Sequence, residues 1–278
     1  MSKIYDLHCH STASDGTLTP EQLLQHAAER KIDVLALTDH DTVAGLDEAR
    51  IEAQRLGIEL INGLELSVTW NNQTLHIVAL GIDPDYAPLC AGLAELQAFR
   101  QWRGEEIARR LEKKANISGA LEGASAHAKG KLLSRTHFAR FLLEQGHVKG
   151  MQDAFTRYLK KGKSGFVPST WADFEQGLKW ITESGGQAVL AHPARYSMTA
   201  TKLRKLLGEF KECGGAAIEV VSGSHSKNDY FVMANLAKQL DLLASAGSDY
   251  HGPENPWIEL GRLPAIPEGC TPIWHNWN

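Results

Sequence analysis

Short apolar runs separated by amphipathic stretches set the rhythm of this chain. Runs at residues 4–7, 34–37, 59–61, 75–80, 188–191, 216–221 and 242–246 have the length and composition of buried strands. Helical spacing follows most of them. Residues 20–31 open with Thr19 as N-cap and Pro20 at the first helical position. Residues 42–56 stop at Gly57, 170–184 at Gly185-Gly186 and 199–213 at Gly214-Gly215, glycine being the usual helix stop. Residues 228–240 form the last such stretch. The alternation predicts a parallel α/β fold, as a barrel or a doubly wound sheet.

The rhythm breaks in the middle. Residues 88–163 contain no strand-like run. They read as helices at 89–114, 136–144 and 151–161, joined by a Gly/Ala/Ser/Lys-rich link at 118–131. The expected organisation is one α/β domain of residues 1–87 and 164–278, with 88–163 as a helical insertion covering the site. A chain of 278 residues, 43% hydrophobic, suffices for that core. Charge singles out the same segment. Residues 100–163 hold 15 Lys and Arg against six acids, a net +9, whereas the remainder is −13. A basic segment on an acidic body suits an anionic ligand, or is a solvated helical surface. No apolar run approaches the ~20 residues of a membrane span. Four scattered cysteines and no secretion-like start imply reduced thiols in a cytoplasmic protein.

The chemistry sits where the strands end. Asp6-Leu7-His8-Cys9-His10 closes the first run, and Asp249-Tyr250-His251 follows the last. Between them stand Asp15, His40, Glu65, His76 and His192. Residues two apart on a strand share a face, so His8 and His10 point together and Cys9 points away. In parallel α/β folds the carboxyl ends of strands carry the site. Six imidazoles and three carboxylates gathered there would hold metal ions. Mixed nitrogen and oxygen donors without thiolates suit Zn²⁺, Mn²⁺ or Fe²⁺ better than Ca²⁺ or Mg²⁺. Nine donors exceed the needs of two ions, so three are expected. Clustered divalent ions generate hydroxide at neutral pH and neutralise charge on a phosphoryl group, which points to hydrolysis.

Six motifs occur in order: Asp-Leu-His-Cys-His-Ser, Asp15-Gly16, Thr-Asp-His-Asp, Gly-x-Glu, Ala-His-Pro and Ser-Asp-x-His. Together they resemble the polymerase and histidinol phosphatase (PHP) family, which is amidohydrolase-like. The resemblance covers nearly the whole chain. It implies a distorted (β/α)₇ barrel with a helical insertion and a trinuclear centre, with Mn²⁺ favoured. Carried over by position, His8, His10, Glu65 and Asp249 would hold one ion, and Asp15, His40 and His251 a second. Glu65, His76 and His192 would hold a third. Asp6, Asp39 and Asp41 would orient the ligating imidazoles.

Residues 134–139, Tyr158-Leu159, 162–168, Ala191–Arg195 and 219–225 resemble one branch of that family more narrowly. The branch contains nucleoside-3′,5′-bisphosphate phosphatases, some also described as 5′→3′ exonucleases on short RNA. It implies attack by a metal-bridging hydroxide on a 3′-phosphate, leaving a nucleoside 5′-monophosphate. Arg135 and Arg195 each offer a bidentate fork for phosphate. Ser222, Ser224 and His225 become candidate substrate contacts, and His225 and His137 candidate catalytic groups. The expected partner is a small nucleotide or short RNA, not DNA and not a membrane. Histidinol phosphate is an alternative substrate, and a non-catalytic metal- or nucleotide-binding module an alternative of another class. Gly162-Lys163-Ser164 lacks the glycine and the preceding strand of a P-loop. The seven tryptophans show no stacking-platform spacing.

Overall fold

Seven strands among the described residues curl into a nearly closed barrel, in the order β1, β2, β3, β4, β6, β7, β8. They are β1 (Tyr5–Cys9), β2 (Val34–Leu37), β3 (Glu59–Trp70), β4 (Gln73–Leu80), β6 (Gln187–Leu190), β7 (Ala217–Ser222) and β8 (Leu243–Gly247), with a short β5 (Ala172–Asp173) beside β3. This is a computed structural model that describes residues 3–130 and 132–277; Met1 and Ser2 at the chain start, Lys131 of the basic link and Asn278 lie outside the described residues. The barrel closes where the amide of His10 donates to the carbonyl of Tyr250 at 2.9 Å and that of Asp249 to His8 at 2.8 Å.

Alternation explains why the strands read as continuous apolar runs. Val34 and Ala36 pack with Val78, Leu80, Val189 and Ala217 in one cluster, the filling of the barrel. Leu35 and Leu37 face the other way, against Leu23, Leu24, Leu46 and Ala49 of α1 (Pro20–Glu29) and α2 (Leu46–Leu56). A bulge between Asp6 and Cys9 gives β1 one extra residue opposite β2. It leaves Leu7 in the inner cluster and Cys9 in the outer one, with His8 between them. Each fully buried Leu or Val contributes about 1.5–3 kcal/mol.

The α1 start is as expected. Thr19 caps it in a reciprocal capping box with Gln22, and Gly57 ends α2 in the left-handed region at φ 72°. Other boundaries differ. The stretch 42–56 becomes helical only at Leu46, and 170–184 only at Phe174 of α7 (Phe174–Glu183), where Asp173 caps the helix. The sheet is not wholly parallel, because β4 runs antiparallel to both β3 and β6. β3 and β4 form a long hairpin turned by Asn71 and Asn72, at φ 45° and 58°. Asparagine tolerates that left-handed backbone.

The segment between β4 and β5, expected as an insertion, is helical where described: α3 (Ala87–Ala115), α4 (Ala120–His127), α5 (Arg135–Glu144), and α6 (Met151–Ala154) running into a π-helical turn, Phe155–Leu159. α4 corrects the reading of residues 118–131 as a link; its alanines are strong helix formers. α3 joins two cores. Leu89, Leu93 and Leu96 pack into the barrel-side cluster, whereas Ile107, Ala108 and Leu111 pack with Phe138, Phe141 and Leu142 of α5. The outer layer is completed by α7, α8 (Ala200–Glu212) and α9 (Lys227–Leu240). No described helix is long and apolar enough to cross a membrane.

Candidate metal centre

Strand ends and loops at one mouth of the barrel bring all nine sequence-predicted donors together. Glu65 lies at the middle of them, mid-strand in β3 and fully buried. Its Oε1 is 3.0 Å from His76 Nδ1 and 3.0 Å from His192 Nε2. Its Oε2 is 2.9 Å from His40 Nδ1 and 3.3 Å from both His8 Nε2 and His10 Nε2. Asp249 Oδ1 lies 3.5 Å from His8 Nε2 and 3.4 Å from His10 Nε2. Asp15 Oδ1 lies 3.3 Å from His251 Nε2. Three sets have donor atoms within 4.8 Å of one another: His8, His10, Glu65 and Asp249; His10, Asp15, His40 and His251; and His40, Glu65 and His76.

The residues fit divalent cations. Asp15 Oδ1, Glu65 Oε2 and His192 Nδ1 are buried and, among the described residues, have no hydrogen-bond partner. Orphaned buried acceptors are costly and rare. Burial alone would push the Glu65 carboxyl up, but the imidazoles of His40, His76 and His8 outweigh it and hold it well below the usual range. Asp15 and Asp249 are likewise held down against burial, chiefly by His251 and His40 for the first and by His8 for the second. All three therefore present anionic oxygens at neutral pH. His192 at φ 32° and Asp249 at φ 58° sit in left-handed backbone, a strain of the kind concentrated at functional sites.

The orienting groups are only partly those expected. Asp6 accepts from the backbone amides of Ser248 at 2.8 Å and Gly261 at 3.0 Å, so it braces the β8 loop rather than an imidazole. Asp39 bonds Ser11 and Ser14, and Ser14 Oγ lies 3.5 Å from His10 Nδ1. Asp41 accepts from the Ser67 amide at 2.6 Å and pairs with Arg100 at 2.6 Å. Glu219 was not singled out by sequence, yet its Oε1 meets His8 Nδ1 at 2.5 Å and its Oε2 accepts from the His192 amide at 2.6 Å. The signal for it was a lone acid inside the apolar β7.

A cavity of about 490 Å³ opens from this cluster and runs between barrel and insertion. Arg195 stands at the cluster end, its Nη1 2.8 Å from Asp249 Oδ2. Arg135 lines the insertion side, with Arg100, Arg103 and Lys161. Ser134 of the insertion donates to Asp15 Oδ2 at 2.9 Å, and Arg140 to the Asp15 carbonyl at 2.9 Å. Trp171 and the hydroxyls of Ser67 and Thr69 also line it; none of these, nor Arg100 and Arg103, stood out in the sequence.

His137, His225, Ser222 and Ser224 do not line the cavity. His137 accepts from the Ser134 amide at the start of α5. The ring of His225 takes the Ala194 amide at 3.3 Å and faces the Val220 carbonyl at 3.4 Å, so both nitrogens serve the backbone. Ser222 and Ser224 face each other at 3.3 Å. Sequence reading made these four candidate substrate or catalytic contacts; in the structure both histidine rings are held by backbone groups.

Comparison with known proteins follows the same lines. The PHP domain model matches residues 6–168. The chain is 48% identical over 276 residues to the 5′-3′ exoribonuclease Rnm of Escherichia coli K12, covering 99% of this chain and 94% of that one. It is 45% identical over 272 residues to the 3′,5′-nucleoside bisphosphate phosphatase of Chromobacterium violaceum, covering 98% and 95%. A solved amidohydrolase from Chromobacterium violaceum, with bound sulfate and no metal, superposes with a TM-score of 0.94 at 44% identity, covering 98% of this chain and 94% of that one.

Proposed function

The chain belongs to the PHP domain family, and on that footing we propose that it is a metal-dependent phosphoesterase acting on nucleoside 3′,5′-bisphosphates. It removes the 3′-phosphate and leaves the nucleoside 5′-monophosphate. One observation carries this reading: a single cavity joins a nine-donor cluster to a wall of arginines. That arrangement suits a substrate with two phosphates. The similar Chromobacterium violaceum protein is named for this activity.

His8, His10, Glu65 and Asp249, then Asp15, His40 and His251, then Glu65, His76 and His192 would hold three divalent ions, Mn²⁺ being the favoured metal. When bound, such ions supply Lewis-acid charge and an activated water. The chain's own residues do the rest. Asp15, Glu65 and Asp249 stay ionised through the cycle. Arg195, half exposed at the cluster, swings its fork between Asp249 and the equatorial oxygens of the phosphoryl group. Arg135 anchors the phosphate that is not cleaved. The insertion, residues 88–163, acts as the second wall and narrows the access of water.

A second reading accompanies the first. The similarity to Rnm, and a cavity open at one side, support 5′→3′ removal of nucleotides from short 5′-phosphorylated RNA, whose end offers the same phosphate pair. Histidinol phosphate would bring an ammonium to a wall of arginines, which disfavours it. A purely binding role is disfavoured because no donor of the cluster is missing.

The test is phosphate release with Mn²⁺ from adenosine 3′,5′-bisphosphate, AMP, histidinol phosphate and a short 5′-phosphorylated RNA. Phosphate release from the bisphosphate with AMP accumulating is the expected result. Preference for histidinol phosphate, or no turnover of any substrate by metal-loaded protein, overturns it.

A further inference from the structure

Asp15 is held from two sides. It lies on the loop between β1 and α1, is 2% exposed, and belongs to the donor set His10, Asp15, His40 and His251. Its two carboxylate oxygens are divided. Oδ1 faces the cluster, 3.3 Å from His251 Nε2 and 3.9 Å from His40 Nε2, and has no hydrogen-bond partner among the described residues. Oδ2 accepts from the hydroxyl of Ser134 at 2.9 Å, a contact between residues 119 apart in the chain. Arg140 adds a hydrogen bond to the Asp15 carbonyl at 2.9 Å. Both partners belong to α5 and its cap, in the helical segment between β4 and β5.

The single hydroxyl proton of Ser134 has a fixed direction. As N-cap of α5, its oxygen accepts from the Thr136 amide at 3.0 Å, while the Ser134 amide donates to His137 Nδ1 at 3.2 Å in a reciprocal capping box. Helix amides take the acceptor side of the oxygen, so the proton is left for Asp15, whose ionised carboxylate only accepts. Ser134 and His137 are both buried, so little water competes. The barrel pins the loop backbone at Gly16, whose amide donates to the Ser11 carbonyl at 2.9 Å and where a Cβ would stand 2.4 Å from the His10 carbonyl oxygen. What stays free is rotation of the Asp15 carboxylate, a soft torsion, and Ser134 takes it up. Other donors are braced by the barrel. Glu219 on β7 holds the His8 ring and the His192 amide, Glu65 sits within β3, and His251 Nδ1 meets the Asp249 carbonyl at 2.9 Å.

The geometry points to Ser134 as a positioning residue through which the helical segment governs one cation position of the centre. Its hydroxyl holds the Asp15 carboxylate so that Oδ1 stays turned to His40 and His251. The positions built on Glu65 do not depend on it. The assignment rests on the divalent-metal reading of the cluster and goes beyond it, because it makes one position answer to a contact outside the barrel. Partners that orient a ligand in this way are worth about 10- to 100-fold in metal affinity. Displacement of α5 from the barrel therefore releases Asp15 and weakens that position alone.

The test is Ser134→Gly in the full-length chain, with bound Mn²⁺ followed by equilibrium dialysis against rising free Mn²⁺. Glycine removes the donor yet serves as an N-cap at little cost, so α5 persists and far-UV circular dichroism should be unchanged. One Mn²⁺ per chain should bind about 10- to 100-fold more weakly, and the others as in wild type. Ser134→Thr keeps both hydroxyl and cap and should restore the affinity. Ser134→Ala loses both; it should match Ser134→Gly in metal binding and melt at a lower temperature. With adenosine 3′,5′-bisphosphate, the Mn²⁺ needed for half activity should rise in Ser134→Gly, while KM at saturating Mn²⁺ should not. Unshifted Mn²⁺ binding in Ser134→Gly, equal weakening of every ion, or no recovery in Ser134→Thr overturns the role of Ser134. Wild-type protein that binds no Mn²⁺ overturns the metal reading and this assignment with it. The expected binding pattern without turnover of any phosphoester overturns the phosphoesterase reading and leaves the assignment standing.

Discussion

Glu219→Gln is the sharpest perturbation the centre offers. Glu219 is 1% exposed and makes two contacts, to His8 Nδ1 at 2.5 Å and to the His192 amide at 2.6 Å. His8 Nε2 is the atom facing Glu65 and Asp249, so Nδ1 must carry the proton that Glu219 accepts. Glutamine has the same shape and retains one acceptor. If that oxygen stays on the His192 amide, its NH₂ is turned towards His8 Nδ1. Two donors then meet, and His8 relieves the clash by moving its proton to Nε2. The lone pair that faces the cluster is lost. Substitutions of such carboxylate–histidine partners cost 10- to 100-fold in metal affinity, about 1.4–2.8 kcal/mol. The assay is activity and bound metal as functions of free Mn²⁺. The activation midpoint should rise by about one to two decades, with most activity restored at saturation and far-UV circular dichroism unchanged. An unmoved midpoint would refute the tautomer argument. So would a loss that persists in fully metal-loaded protein.

Three further outcomes follow from particular contacts. Arg100→Met strands the buried Asp41 carboxylate and should destabilise the protein by about 3–5 kcal/mol in denaturant unfolding. A Cβ at Gly247 would overlap His8 Cβ and reach 2.9 Å from the His8 amide, so Gly247→Ala should lower bound metal and cost about 1–3 kcal/mol of stability. Burial, outweighing the nearby Asp15, holds His137 at a pKa of about 4 against 6.5. Above pH 6.5 both folded and unfolded forms are neutral there and stability is full; between 6.5 and 4 only the unfolded chain takes up the proton, and about 3 kcal/mol is lost. His137→Gln, which retains a capping residue at that position, should flatten that acid limb of the stability–pH curve relative to wild type.

The strands were legible because each is a short apolar run bounded by turn residues, and most boundaries shift by only one or two positions. β3 was read as ending at Ile61 because Asn62, Gly63, Glu65, Ser67 and Thr69 interrupt the run. Those polar residues alternate with Leu64, Leu66, Val68 and Trp70, which are buried in the barrel-side core. Period-two alternation was the available signal, and with it the β3–β4 hairpin. The metal donors were legible because His and acidic residues are conspicuous at strand ends. Arg103 and Trp171 were not: a basic residue on an amphipathic helix looks the same whether it faces water or a cavity. Only packing α3 against β3 separates the two. The backbone contacts of His137 and His225 were hidden for a related reason. Their neighbours in sequence suggest a site, but their rings are claimed by backbone groups that only the folded chain brings near.

Barrel closure has a consequence for the timing of activity. The donors on β1 meet those that follow β8 only when the first and last strands are adjacent, across some 240 residues of chain. During synthesis no emerging fragment can assemble the centre; His8, His10 and Glu65 wait for Asp249. Completion of the two donor sets that include Asp249 or His251 therefore belongs to the last stage of folding, and cation binding there draws the closed barrel forward by mass action. Hydrolytic competence and completion of the fold arrive as one event.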